Sequence, residues 1–171
     1  MTRDRSPDRQ IPPSPDRTAY VDALRLIARR ELSVQQMRDR LRDREHAAED
    51  VERAIALLIE NRVLDDRRVA AAFVRTALEV KGRGRFRVQR ELQAMGIDND
   101  VAAEALAEGF GAVDERGLVA QALKKKLRGK KITTPAEYGR VYQFLMRQGF
   151  SPAVVSAALR GFKRGHFEDD H

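Results

Sequence analysis

The chain has 171 residues, of which 42% are hydrophobic, 35% charged and 6% aromatic, and it contains no cysteine. Its net charge is +7, with an isoelectric point of about 10.1. The lack of cysteine excludes disulfides, thiolate zinc sites and cysteine nucleophiles, and no apolar run approaches the roughly 20 residues of a membrane span.

The composition also indicates a fold class and a location. Ala, Leu, Arg and Glu are abundant, and they favour helices, whereas runs of β-branched residues are scarce. We therefore expect an all-α fold. The lack of cysteine suits a reducing cytosol, so we expect a cytoplasmic location, and we expect no cofactor and no membrane contact. The positive charge favours a polyanion or an acidic protein surface as partner.

The first part of the chain divides into a tail and a helical region. Residues 1–17 contain four prolines and little apolar material, so we expect a disordered N-terminal tail. Helical periodicity begins near Thr18, and Ser33 with Gln36 forms a capping-box pattern for the second of three helices. These helices make up a predicted first repeat over residues 18–64.

Two further groups of helices follow. The second, over residues 65–112, is interrupted by Gly82 and Gly84. The third, over residues 113–165, contains a strong helix start at residues 134–137, and a polar tail follows over residues 166–171. The predicted capping residues of the chain are Ser33, Asp65 or Asp66, Asp98, Asp114 and Thr134.

The three groups are related by an internal repeat. The segment from Leu92 through Gly96 to Val101 matches the segment from Leu145 through Gly149 to Val154. In the first group Glu45 replaces the glycine, and the segment from Leu41 to Val51 is one residue longer. We expect three tandem three-helix, helix-turn-helix-like repeats in an elongated, curved array of a monomer.

The joints between the repeats differ in glycine content. Residues 61–66 contain no glycine, whereas residues 108–111 contain two. More bending is therefore expected at the second joint than at the first. Each repeat should have its own apolar core, and Phe73, Val88, Leu92 and Tyr142 are predicted members.

The sequence contains no recognisable catalytic constellation. His46, His166 and His171 are its histidines, and neither HExxH nor a phosphate-binding GxxxxGK[ST] is present. The pair Asp65-Asp66 is explained by a helix N-terminus better than by a metal. We expect no enzyme activity and no metal site.

Two basic runs remain to be explained. Arg75 to Arg90 contains six basic residues and one acid, Glu79, and Lys124 to Lys131 contains six basic residues. A solvated helix face explains one such run, but both lie between the first and second helices of consecutive repeats. Both also lack the neighbouring acids that a salt-bridged helix face would carry. The predicted partner-binding residues are Arg75, Lys81, Arg83, Arg85, Arg87, Arg90, Lys124, Lys125, Lys126, Arg128, Lys130 and Lys131.

Several short segments of the chain form a recognisable set. They are Val63-Leu-Asp-Asp-Arg-Arg-Val-Ala70, Gly82-x-Gly84, Arg90-Glu-Leu92, Met95-Gly-Ile97 and Phe144-Leu-x-x-x-Gly-Phe150. Together they resemble the RecX family, the regulators of the RecA recombinase. The resemblance covers about residues 18–165, and Glu45 with the longer first segment departs from it.

The resemblance implies three tandem three-helix units that bind in the groove of RecA filaments on single-stranded DNA. It also implies inhibition of RecA's ATPase, strand-exchange and co-protease activities. A stand-alone DNA-binding protein with helix-turn-helix-like units is the alternative. The third helices argue against it, because residues 49–60 are acidic and residues 98–108 contain no Lys or Arg.

Overall fold

The computed structural model describes residues 15–164, and within that range the secondary structure is entirely helical. The predicted all-α fold is confirmed. The first helix begins three residues before Thr18. The remainder of the predicted N-terminal tail and the C-terminal segment 165–171 lie outside the described residues. The helices are α1 (Pro15–Ile27), α2 (Val34–Arg42), α3 (Ala48–Glu60), α4 (Asp66–Glu79), α5 (Arg85–Ala94), α6 (Asn99–Phe110), α7 (Glu115–Leu127), α8 (Pro135–Gln148) and α9 (Pro152–Arg164).

The helices form three successive three-helix repeats, α1–α3, α4–α6 and α7–α9. The chain divides into two compact units, one ending at Asp65 and one beginning at Asp66. The first unit holds the first repeat, and the second unit holds the other two. Across residues 15–164, no helix is both long enough and apolar enough to cross a membrane.

Side-chain caps determine where several helices begin. Ser33 and Gln36 form the predicted capping box of α2, and Thr134 and Glu137 form that of α8. In each, the hydroxyl oxygen accepts a bond from a backbone N–H that has no partner within the helix. Asp98 caps α6 and Asp114 caps α7 in the same way.

The turn between the second and third helices has the same geometry in all three repeats. Glu45, Gly96 and Gly149 have φ angles of 62°, 72° and 89°, in the left-handed region. The residue after each donates its N–H to the carbonyl of a leucine five positions earlier, Leu41, Leu92 or Leu145. Glu45 therefore occupies the glycine position without changing the turn.

The prediction that the first repeat has one extra residue between Leu41 and Val51 is wrong. The inward residues of the third helices are Val51, Ala102 and Val155, and each lies ten positions after the leucine of its own turn. Val101 and Val154, which the sequence comparison had matched to Val51, are only half buried. The repeats therefore share one register, and the mismatch came from aligning valines by identity.

Each repeat has an apolar core of its own. Leu41 and Leu58 are fully buried in the first repeat, Leu92 in the second and Leu145 in the third. Among the predicted core residues, Val88 and Leu92 are fully buried, whereas Phe73 and Tyr142 pack half-buried against their cores. A repeat of about 50 residues thus buries a compact set of apolar side chains.

The glycines of the second joint have a packing role. Helix α6 continues through Gly109, and a Cβ there would lie 2.3 Å from Cγ1 of Val74. A glycine allows α6 to approach α4 at this point, since any side chain would overlap Val74. The greater bending expected at this joint stays a prediction.

Candidate functional site

Two arginines of the first basic run, Arg83 and Arg87, form ion pairs with Glu91. The guanidinium of Arg83 and Nε of Arg87 both donate to the carboxylate of Glu91, the latter at 3.0 Å. Arg83 and Glu91 are 18% and 27% exposed, so water only partly screens the pair. The prediction that this run lacks neighbouring acids is wrong. The run was counted only as far as Arg90, and the acid Glu91 is the next residue.

The N-terminus of α5 is capped by the end of another helix. The backbone N–H of Gly84 donates to the carbonyl of Gln148 at 2.9 Å, and that of Phe86 donates to the carbonyl of Gly149 at 3.1 Å. Arg87 adds a bond from Nη1 to Oε1 of Gln148 at 3.3 Å. Because α5 has no side-chain cap, these α8 carbonyls supply acceptors that its first N–H groups need.

Two glycines allow the two helix ends to approach. A Cβ on Gly84 would lie 2.3 Å from the backbone of Gly149, and a Cβ on Gly149 would lie 2.2 Å from the backbone nitrogen of Arg87. Only glycine fits at either position, since backbone atoms cannot move aside as a flexible side chain can. Sequence reasoning identified both as helix boundaries and missed this contact. The available signal was the lack of Ser, Thr, Asp or Asn at the N-cap of α5.

The remaining residues of the first run are exposed but separated. Arg75 lines a recess between α4 and α6 that also contains Glu79 and Glu108. Arg85 and Arg90 are exposed on α5 and line neither of the two clefts described below. The first run is therefore not a single surface.

All six cations of the second run are exposed. Lys124, Lys125 and Lys126 form the last turn of α7, where positive charge is favourable beside the unpaired helix carbonyls. Arg128 ends the helix in a left-handed conformation, with φ 48°. Lys130 and Lys131 follow in the α7–α8 loop.

Lys81 and part of the second run line a common cleft. This inter-repeat cleft lies between the turn after α4 and helices α7 and α8, and its volume is about 440 Å³. Lys81 lines it together with Lys125, Lys126 and Arg128. The second unit thus brings one cation of the first run beside three of the second.

A larger cleft lies next to it. This α7–α8 cleft, of about 720 Å³, lies between the C-terminal end of α7 and helix α8. Lys126 and Phe144 line both clefts, and Nζ of Lys126 lies 5.0 Å from the centre of the Phe144 ring. The cations lining the α7–α8 cleft are Lys126, Lys130, Lys131, Arg140 and Arg147.

Helix α8 supplies residues that sequence reasoning missed. Arg140, Gln143, Phe144 and Arg147 line the α7–α8 cleft and are spaced at i, i+3, i+4 and i+7. That spacing places them on one face of the helix. The same spacing was visible in the sequence, but only uninterrupted basic runs had been considered.

A carboxylate in the α7–α8 cleft has partners of its own. Among the described residues lining that cleft, Glu137 is the only acid. The backbone N–H and hydroxyl of Thr133 and the N–H of Thr134 lower the pKa of Glu137, and Arg140 adds to the effect. Glu137 therefore stays charged at neutral pH and completes the cap of α8.

The described residues include no cluster of side chains that could hold a metal ion. From Pro15 to Arg164, no cluster of three or more His, Cys, Asp or Glu side chains is arranged for a metal ion. His46 lies 3.1 Å from Oδ2 of Asp22, and this hydrogen bond is the largest cause of the lowered pKa of Asp22. What the second unit offers instead is exposed positive charge lining two clefts.

Three family models match the chain, one for each repeat. The first three-helix domain of RecX matches residues 19–58, the second matches residues 65–106 and the third matches residues 114–159. The matches therefore follow one another along the chain in the order of the repeats.

Individual relatives and solved structures agree with these matches. The chain is 36% identical to the regulatory protein RecX of Chromohalobacter salexigens, over 81% of this chain and 88% of that protein. It is 32% identical to the regulatory protein RecX of Bacillus subtilis over 86% of this chain, although it spans only 56% of that protein. The crystal structure of RecX from Lactobacillus salivarius has the same fold, with a TM-score of 0.71, 21% identity and coverage of 87% of this chain and 97% of the other. With its three consecutive three-helix domains and these relatives, the chain belongs to the RecX family of regulatory proteins.

Proposed function

We propose that the protein is a non-enzymatic regulator that binds the RecA filament on single-stranded DNA. It inhibits the ATPase, strand-exchange and co-protease activities of RecA. It acts in the cytoplasm, in DNA repair by homologous recombination and in the SOS response. Membership of the RecX family supports this function, because relatives that are 36% and 32% identical to this chain over the aligned residues are named regulatory proteins.

One structural observation carries the proposal for the contact surface. Lys81 lines one cleft of a single compact unit together with three cations of the second basic run, Lys125, Lys126 and Arg128, so their charges act together on one partner. Arg83 and Arg87 leave the set of proposed contacts, since Glu91 and Gln148 bind them. Arg75 leaves it too, because it lines a separate recess with Glu79 and Glu108. The proposed contacts on RecA or DNA are Lys81, Arg85, Arg90, Lys124, Lys125, Lys126, Arg128, Lys130 and Lys131.

A titration of RecA's DNA-dependent ATPase tests this function. The protein is added at increasing ratios, before and after RecA has assembled on single-stranded DNA. We expect suppression well below one protein per RecA molecule, because one regulator bound in a filament affects several neighbours. Unchanged ATPase activity at equimolar protein would refute the proposal.

Charge reversal tests the contact surface. The double variant Lys125→Glu/Lys130→Glu should weaken inhibition while leaving helicity unchanged, because both side chains are exposed. Arg85→Glu/Arg90→Glu is the corresponding variant for the first run. Arg160→Glu, on α9 and outside both clefts, is the control. If both double variants inhibit as strongly as the control, the basic residues are not the interface.

A second candidate function is direct DNA binding by helix-turn-helix-like units. The three-helix repeats favour it in shape, and Asp98 caps the third helix of the second repeat, although α3 has no side-chain cap. The charge of the first two third helices does not favour it, since Glu49 and Asp50 lie in the first turn of α3 and α6 contains no Lys or Arg. Recognition helices normally present basic or amide side chains to the bases. Tight duplex binding without RecA, with a steep salt dependence, would favour this function.

A further inference from the structure

We propose that the inter-repeat cleft and the α7–α8 cleft form one path for the sugar–phosphate backbone of a single-stranded nucleic acid. This inference rests on the proposed function, because it assigns the nucleic-acid part of the filament contact to a defined surface. It adds three α8 residues, Arg140, Phe144 and Arg147, to that contact. The cations along the path are Lys81, Lys125, Lys126, Arg128, Lys130, Lys131, Arg140 and Arg147.

The first support is the charge along the path. None of the cations lining the two clefts forms a salt bridge with another described residue. Two acids line the clefts, Glu79 in one and Glu137 in the other, and threonine hydrogen bonds hold Glu137 in the cap of α8. Positive charge along a cleft neutralises the phosphates of a bound strand and releases the counter-ions that are condensed on that strand.

The second support is the continuity of the two clefts. They are adjacent because Lys126 and Phe144 line both. A backbone entering beside Lys81 would pass Lys126 and then reach Arg140 and Arg147 on α8. A polymer with a charge on every nucleotide can meet cations along the whole of such a path.

The third support is the apolar floor, which favours a single strand over a duplex. Leu127, Ile132, Val141 and Phe144 line the α7–α8 cleft between its cations. Bases of a single strand are free to contact apolar and aromatic side chains, whereas bases of a duplex are stacked and paired. A cationic rim with an apolar floor therefore fits unpaired nucleotides.

The types of cation fit a backbone that is bound without sequence recognition. Lysines make up most of the cations that line the two clefts. Lysine acts as a flexible point charge, whereas the planar arginine fork is preferred where a carboxylate or phosphate is held by two parallel hydrogen bonds. The second unit also contains arginines that pair with carboxylates, Arg67, Arg83 and Arg87, and these three lie outside both clefts.

The test measures binding of the protein alone to a fluorescein-labelled 20-nucleotide oligothymidine by anisotropy, at several KCl concentrations. The logarithm of the affinity should fall linearly with that of the salt concentration, by about 0.7 for each phosphate neutralised. The double variant Lys130→Gln/Arg147→Gln should lower this slope by about 1.4, because it removes two contacts. The control Arg116→Gln/Arg160→Gln removes the same charge outside both clefts and should keep the slope.

Two competitors identify the chemistry of the partner. A 20-base-pair duplex should bind more weakly than the single strand, and poly-glutamate at equal charge should displace the single strand poorly. Equal or tighter binding of the duplex, effective displacement by poly-glutamate, or an equal loss of slope in both double variants would each overturn the inference.

The RecA titration separates this inference from the function on which it rests. If the wild-type protein suppresses RecA ATPase but does not bind oligothymidine, the path is wrong and the regulatory function stands. If it binds oligothymidine but leaves RecA ATPase unchanged, the regulatory function is wrong and the path stands.

Discussion

The two basic runs contain six cations each, but the protein holds them in different ways. In the run from Arg75 to Arg90, Arg83 and Arg87 bind Glu91, and Arg87 also reaches Gln148 of the next repeat. In the run from Lys124 to Lys131 every cation is exposed. The first run therefore helps to join two repeats, whereas the second remains accessible to a partner.

This difference follows from side-chain chemistry and local spacing. Arg87 and Glu91 are four residues apart on one helix, and a guanidinium can donate several bonds in a fixed plane. Lys124 to Lys126 lie at the C-terminus of α7, where the helix carbonyls favour positive charge and no acid lies within the run. Equal charge in a sequence thus does not imply equal availability.

The largest expected effect comes from breaking the contact that the first run supports. Gly149→Ala should lower the free energy of unfolding by about 2–5 kcal/mol, through its left-handed backbone and a clash with Arg87. Urea denaturation followed by circular dichroism would measure the loss.

The matched control is Gly161→Ala on α9. A Cβ there meets nothing within 4 Å, so the change should raise stability by about 0.5–1 kcal/mol. Wild-type stability for Gly149→Ala would contradict the close contact between α5 and α8.

A smaller effect is expected from Glu91→Gln, which removes the negative charge between Arg83 and Arg87. The amide accepts fewer bonds than the carboxylate, and the cost should be about 1–3 kcal/mol because the group is partly buried. Lys125→Gln in the second run should stay within about 0.5 kcal/mol of wild type, because its side chain is exposed. Equal unfolding midpoints for the two variants would contradict the view that the first run stabilises the fold through Glu91 and the second run does not.

The smallest effect concerns pH and the cap of α8. The pKa of Glu137 is lower in the folded protein than its ordinary value of 4.5. Its contribution to stability is therefore present above about pH 4.5 and is lost as the pH falls through the lower folded value.

Thermal unfolding between pH 6 and pH 3 would test this dependence with Glu137→Gln. The wild-type protein should be the more stable at pH 6, and the difference should shrink as the pH approaches 3. A difference that stays constant with pH would show that the carboxylate charge is not what stabilises the cap.

Much of the fold follows from local sequence patterns. The capping boxes at Ser33 and Thr134 and the glycine helix ends are local, because each depends on residues within one helical turn. The core leucines follow from helical periodicity in the same way. Alignment by residue identity failed at Val101 and Val154, since burial depends on register and not on matching letters.

The candidate site was only partly predictable for a different reason. Clustering of cations in the sequence selected the second run as a candidate, and its members are exposed at a helix end and in a loop. The partners of Arg83 and Arg87, the face of α8 that carries Arg140 and Arg147, and the common cleft of Lys81 and Lys126 all depend on contacts between elements. The composition of an uninterrupted run contains no information about contacts between elements.

The sequence by itself determined the all-α class, the three-helix repeats, most helix ends and the family, because these depend on short-range patterns. The tertiary structure alone decided which cations of the second unit are available. Gly84 and Gly149 lie 65 positions apart in the chain, and their close approach brings α5 against α8. That contact draws Arg87 into the joint between the repeats, while Lys81 and the lysines of α7 are left lining open clefts.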